Sequence, residues 1–170
     1  MHVYFSEATS MFINCSKLIS IPSVLTNIIN GQNMFNNCIS LSTINSNIFE
    51  YFTSEPSNRI FDYAFANCSS LLYCNANLTV GLKSINNLFK NCTNLSGFDS
   101  NNFFPLYNGG TVKLQSIFEN CSLSGLKKED VDNLSIKLWN NTKTNFVSLA
   151  AFRNTAISSF IEDSAGPTWI

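Results

Sequence analysis

One tetrapeptide frame, Phe-x-Asn-Cys, recurs along this chain and restricts its possible folds more than any other feature. It reads Phe12-Ile13-Asn14-Cys15, Phe35-Asn36-Asn37-Cys38, Phe65-Ala66-Asn67-Cys68, Phe89-Lys90-Asn91-Cys92 and Phe118-Glu119-Asn120-Cys121, with a sixth copy at Phe152-Arg153-Asn154-Thr155. An apolar or small residue precedes each Phe: Met11, Met34, Ala64, Leu88, Ile117 and Ala151. Apolar residues also follow the Cys at three and six positions, as Leu18 and Ile21, Leu41 and Ile44, Leu71 and Cys74, Leu95 and Phe98. The last two copies are one residue shorter here, giving Leu123 with Leu126 and Ile157 with Phe160.

The Cys or Thr marks fall 23, 30, 24, 29 and 34 residues apart. A fixed apolar frame at such a period is the signature of a solenoid, because one coil cannot bury its own apolar face and must stack on its neighbours. The Phe, Cys and Leu/Ile positions are then expected to form internal columns. Stretches such as 50–58 and 104–110 become the returning arcs. A short strand is expected near Leu18 to Pro22 and its equivalents, and a brief helical or 3₁₀ turn around each tetrapeptide. The fifth copy suggests a longer helix, from Ser124-Gly125 through Lys127 to Leu134, with Ile136 and Leu138 beyond.

The chain has 170 residues, enough for a single domain with a sizeable core. Charged residues are only 12% of it, and 25 Asn and 23 Ser supply the polarity instead. With a net charge of −1 there is no electrostatic case for nucleic acid or an anionic membrane surface. No apolar run approaches the length of a membrane span, so no membrane insertion is expected. The first residues show no basic stretch followed by an apolar one, so no signal peptide is visible.

The frame Ala/Met-Phe-x-Asn-Cys-x-x-Leu-x-x-Ile, followed once by Pro (Ile21-Pro22), resembles the BspA-like leucine-rich repeats. Residues 61–71, Phe-Asp-Tyr-Ala-Phe-Ala-Asn-Cys-Ser-Ser-Leu, match best, and the resemblance runs from about Met11 to Ile161. It implies an α/β solenoid of leucine-rich-repeat type, an irregular right-handed superhelix of about six coils with short strands on one face. It also implies a role in adhesion at a cell surface, and brings no shared catalytic residues. The coil lengths here are irregular, and Thr155 stands where Cys is expected.

The chemistry-bearing residues read mostly as structure. Five of the six Cys share one repeat position, and stacking puts them in a column about 5 Å apart with parallel Cβ vectors, which suits buried thiols better than disulfides. Cys74 takes an Ile position as a small hydrophobe. The only His is His2 and no two Cys stand as Cys-x-x-Cys, so a zinc site is not expected, and there is no Ser–His or Cys–His arrangement to build. Acidic groups such as Glu129-Asp130-Asp132 and Glu162-Asp163 read as solvated charges, and Asn108-Gly109-Gly110 as a turn. The repeat asparagines Asn14, Asn37, Asn67, Asn91, Asn120 and Asn154 are expected inside, as a ladder bridging backbone groups of successive coils. Asn-x-Ser/Thr triplets at four of them therefore read as coincidence of composition.

These observations predict one repeat domain over residues 1–170, expected to belong to a longer protein or assembly, with no enzymatic activity, cofactor or metal. The expected function is recognition: binding of a protein or glycan ligand at an extracellular, cell or virion surface. The strand face would present Ser20, Thr43, Asn45, Tyr73, Asn75, Asp99 and Lys127, with Pro22, Gly97 and Gly125 beside them. Tyr51, Phe52, Phe104, Tyr107, Trp139 and Trp169 are further candidate exposed aromatics. The alternative is a structural spacer, or a virion or fibre component, that packs end to end against copies of itself.

Overall fold

The structure is a computed structural model, and it describes residues 6–21, 25, 27–44, 58–75, 82–98, 113, 115–127, 129–130 and 152–156. Within these, successive copies of the tetrapeptide lie directly over one another. Their phenylalanines form one stack: Phe12, Phe35, Phe65, Phe89, Phe118 and Phe152 have neighbouring ring centroids 5.2–5.7 Å apart and planes within 18° of parallel. Such spacing is the offset-stacked arrangement that aromatic quadrupoles favour. Phe98 adds a second ring against Phe118 at 4.9 Å. Around this stack run buried columns of Met34, Ala64, Leu88 and Ile117, of Leu41, Leu71, Leu95 and Leu123, and of Ile44, Cys74, Phe98 and Leu126. In the first copy Phe12 and Leu18 are only partly buried.

The backbone around each tetrapeptide divides its amides by parity. In the first copy, Ala8, Ser10, Phe12 and Asn14 donate their N–H groups to the next coil, at Asn30, Gln32, Met34 and Asn36 oxygens, over 2.8–2.9 Å. The intervening Met11, Ile13 and Cys15 donate backwards within their own coil, to Ala8, Ser10 and Phe12 oxygens. The pattern repeats from Gly31, Phe61 and Ile85. Seven of the eight amides from Ala8 to Cys15 are thereby satisfied without helix or regular sheet, as a buried backbone requires.

The expected helical or 3₁₀ turns are not formed. Two residues per copy have positive φ: Ser10 and Asn14, Asn33 and Asn37, Tyr63 and Asn67, Asn87 and Asn91, Ser116 and Asn120. A left-handed residue every fourth position breaks any helical run, and it gives instead a chain of turns with the left-handed residue third, as in type II turns. Helical backbone among the described residues is confined to Glu129 and Asp130. There Lys127 N–H donates to Asp130 Oδ2 at 2.9 Å, the N3-to-N-cap half of a capping box. The rest of the predicted fifth-copy helix, the arc 104–110 and the arc 50–58 except for Asn58 lie outside the described residues.

Short strands form where the sequence places them. Strands β1 (Thr43–Ile44), β3 (Tyr73–Cys74) and β5 (Gly97–Phe98) make a parallel three-stranded sheet in the order β1-β3-β5, and an isolated parallel bridge from Ser20 to Thr43 extends it to the first copy. A second ladder was not anticipated. Strands β2 (Arg59–Ile60) and β4 (Leu82–Ser84) pair in parallel, and bridges Glu7–Asn30, Asn30–Ile60 and Ser84–Lys113 continue the row on both sides. Near β2, Gly31 lies so close to the Phe61 ring that a Cβ there would sit 2.5 Å from Cδ1. Arg59 is fully buried, donates from Nε to Ile28 O at 3.0 Å, and holds its guanidinium 5.3 Å from the Phe61 ring centre.

Candidate functional site

Two polar columns line the phenylalanine stack. In the first, Asn37 Nδ2 donates to Asn14 Oδ1, Asn91 to Asn67, Asn120 to Asn91 and Asn154 to Asn120, over 2.7–2.9 Å. Between the second and third coils the backbone register is the same but the side-chain pairing changes, and Asn67 Nδ2 donates to Asn36 Oδ1 at 2.9 Å. These amides bond to one another, not to the backbone groups expected of them. They also lie nearer the surface than expected: Asn14, Asn37 and Asn154 are exposed, and Asn67, Asn91 and Asn120 are half-buried. What the position demands is a left-handed backbone, with φ of 57–63° at all six, and Asn tolerates that better than any other residue with a Cβ.

The second column is made by the cysteines. All six thiols are free. Cys38, Cys68, Cys92 and Cys121 each donate from Sγ to the carbonyl of the preceding coil's Phe (Phe12, Phe35, Phe65 and Phe89) at 2.9–3.2 Å. The same carbonyls accept the N–H of their own coil's Cys, so the thiol occupies the second lone pair. Burial raises the Cys38 thiol to about 11 and the Cys68 thiol to about 12, and it pushes Cys92 well up with the help of Cys121 beside it. Neutral, buried thiols are poor nucleophiles and poor metal ligands. The Thr155 hydroxyl donates to Phe152 O of its own coil at 2.9 Å. Among the described residues, no three His, Cys, Asp or Glu side chains gather where they could hold a metal ion.

The β1-β3-β5 sheet presents the outward residues. Register pairs Thr43 with Tyr73 and Tyr73 with Gly97, and the bridge adds Ser20, so Ser20, Thr43, Tyr73 and Gly97 form one row across four coils. Ser20, Thr43, Tyr73, Asn75 and Lys127 are exposed, while Asn45, Asp99 and Pro22 lie outside the described residues. Gly97 is buried, with Tyr73 Cε2 and Leu126 Cδ2 each 3.3 Å from where its Cβ would be. The glycine thus makes room for the Tyr73 ring to lean over its coil.

Beside this row runs another that the alternation argument missed. Leu18 and Ile21 both point inward, so two consecutive residues between them face out. In the second and fourth coils the first of these is a serine whose hydroxyl reaches the coil before it, Ser42 Oγ to Ile19 O at 3.4 Å and Ser96 Oγ to Leu72 O at 2.9 Å. In the first and third it is Ile19, 66% exposed, and Leu72, 57% exposed. Just after the Cys, where other coils carry Ser16, Ser69, Thr93 and Ser122, stands Ile39, 45% exposed. The signal was present in the columns: an aliphatic residue at a position that is otherwise a hydroxyl.

Comparison with known proteins adds no relative. No family model matches the chain, and neither curated proteins nor solved structures give a significant match.

Proposed function

We propose that this chain is a leucine-rich-repeat-like solenoid serving as a non-enzymatic recognition module, and that it binds a protein partner through the sheet face of its first three coils. The observation that carries the reading is the set Ile19, Ile39, Leu72 and Tyr73, all exposed, and all four where sister coils have hydroxyls. The fold does not require these side chains, since serine or threonine fills the same places elsewhere in the stack. Exposed aliphatics around a tyrosine anchor, rimmed by Ser20, Thr43 and Asn75, have the make-up of a protein contact: an apolar centre inside a polar rim. A nearly neutral surface points the same way, because it leaves apolar fit, not charge steering, to provide affinity. Display at a surface, in adhesion, is what the resemblance to BspA-like repeats adds.

The test is a paired protein and glycan array probed with the parent chain and with Ile19→Ser/Leu72→Ser/Tyr73→Ser. The expected outcome is binding to protein spots that the triple variant loses while its thermal midpoint stays within a few degrees. Equal binding by parent and variant would sink the assignment of the face, and binding to glycans alone would sink the protein-partner reading.

A specific observation favours the alternative of end-to-end assembly. The first described coil leaves Met11 and Ile13 exposed and Phe12 only partly buried, apolar surface of the kind that a neighbouring copy would cover. Sedimentation of the chain over a hundredfold concentration range separates the two, since a structural role requires growing species and a recognition module does not.

A further inference from the structure

The cysteine column has no chemical task in the recognition reading, and it is the most regular unexplained feature of the molecule. Cys38, Cys68, Cys92 and Cys121 are buried at four consecutive coils, and each directs Sγ onto the Phe carbonyl of the coil before it. The bond needs the hydrogen on sulfur. A sulfur in a disulfide has none to give, and it would also have to swing off the carbonyl toward a partner. Every coil interface from the first to the fifth thus holds one sulfur on a carbonyl, in a position that a disulfide would deny it. Cys15 differs: it occupies the same repeat position but is exposed.

We propose that stacking of the coils is conditional on reduced thiols, so that the chain folds only in a reducing compartment and, once folded, shields its cysteine column from oxidation. The opposing reaction is ordinary exchange with a disulfide oxidant such as oxidised glutathione. A column thiolate of the unfolded chain attacks one glutathione sulfur, the S–S bond breaks, and one glutathione leaves as thiol. A second column thiolate then attacks the protein-bound sulfur, closing a protein disulfide and releasing the second glutathione. The protein gives up two electrons and two protons, and the oxidant becomes two thiols. Such a cross-link joins residues whose sulfurs the fold needs on two different carbonyls. Reducing compartments are where proteins keep free thiols of this kind. Any display at a surface then follows completion of the fold, which narrows the route by which the recognition module described above reaches its partner. The proposal itself stands on the thiol geometry alone.

The experiment has two arms on the same 170-residue chain. In the first, the folded, reduced protein is incubated with oxidised glutathione and mapped by mass spectrometry. Cys15 should form a mixed disulfide, with the column thiols at least about 1,000-fold slower, because they react only when the structure opens. In the second, the denatured chain is refolded in oxidised glutathione or in dithiothreitol. A cooperative melt should return only under reduction, and adding dithiothreitol to the oxidised sample should restore it. Cys38→Ala/Cys68→Ala/Cys92→Ala/Cys121→Ala controls for the column and should refold alike in both buffers. Equal melts for the parent chain in the two buffers, or column thiols that react as fast as Cys15, would overturn the proposal. So would a quadruple variant that folds but keeps the parent's sensitivity to oxidant.

Discussion

Asparagine at the third place of the tetrapeptide meets two demands at once. It accepts a left-handed backbone, and it passes an amide hydrogen bond from coil to coil. Substitution separates them. Asn91→Gly keeps the backbone and loses the amide, at about 1–2 kcal/mol, whereas Asn91→Ala loses both and should cost about 1–2 kcal/mol more. Denaturant unfolding of the two variants checks the order, and equal costs would mean that backbone conformation is immaterial at this position. Tyr63 is the reverse case. It holds φ of 58° where other coils have Ser10, Asn33, Asn87 and Ser116, and it is 40% exposed. Tyr63→Asn should therefore stabilise the chain by about 1 kcal/mol, and a lower thermal midpoint would count against strain there. The asparagine's importance was legible from its recurrence, but its depth was not. A repeated polar residue inside an apolar frame reads as buried, yet the left-handed turn carries it to the rim.

Among the elements, the phenylalanine stack was the most legible, because six rings in one frame have a single way to be covered. Phe65→Ala or Phe89→Ala removes a wholly buried ring between two others and should cost about 3–5 kcal/mol. A midpoint shifted by only a degree or two would show that the neighbouring rings close the gap. The short strands β1, β3 and β5 were legible too, since apolar marks fix their inward side. The second ladder was not, for its members are Glu7, Asn30, Arg59-Ile60, Ser84 and Lys113, residues with no shared type. Its register is set by the turns that follow it, where alternate amides reach to the next coil, and not by any pattern of its own. The same cause defeated the helical reading of the tetrapeptide. Short runs of i to i+3 bonds look helical in sequence, and only the positive φ angles distinguish them from turns. On the sheet face, Ser20, Thr43 and Tyr73 were found by alternation, while Ile19, Ile39 and Leu72 needed comparison down the columns.

For the whole molecule, stability is bounded by ionisation on both sides. Glu119 bridges three coils: its carboxylate lies 3.0 Å from Lys90 Nζ and 3.8 Å from Arg153 Nη1. Burial works to raise its pKa, but hydrogen bonds from Ser116 and Lys90 and the charges of Lys90 and Arg153 outweigh it and hold the group below its usual value. Its contribution is therefore present above the ordinary carboxylate range, about pH 4, and is lost as pH falls through the lowered folded value. The thiols act oppositely. With Cys38 and Cys68 raised by burial to about 11 and 12, their contribution is complete below the unfolded thiol range and is lost as pH rises above about 9. A thermal midpoint measured from pH 3 to 10.5 should form a plateau that falls at both ends. Glu119→Gln should flatten only the acid fall, and a slope left unchanged by that variant would remove Glu119 from the account. The division of amides by parity has a further consequence, for how such a chain can change length. One residue added between Phe and Cys would exchange every donor that reaches across for one that folds back, undoing a whole interface at a stroke. Residues added in the arcs disturb no such count. That is why the intervals between marks can drift from 23 to 34 while the tetrapeptide itself never gains or loses a residue.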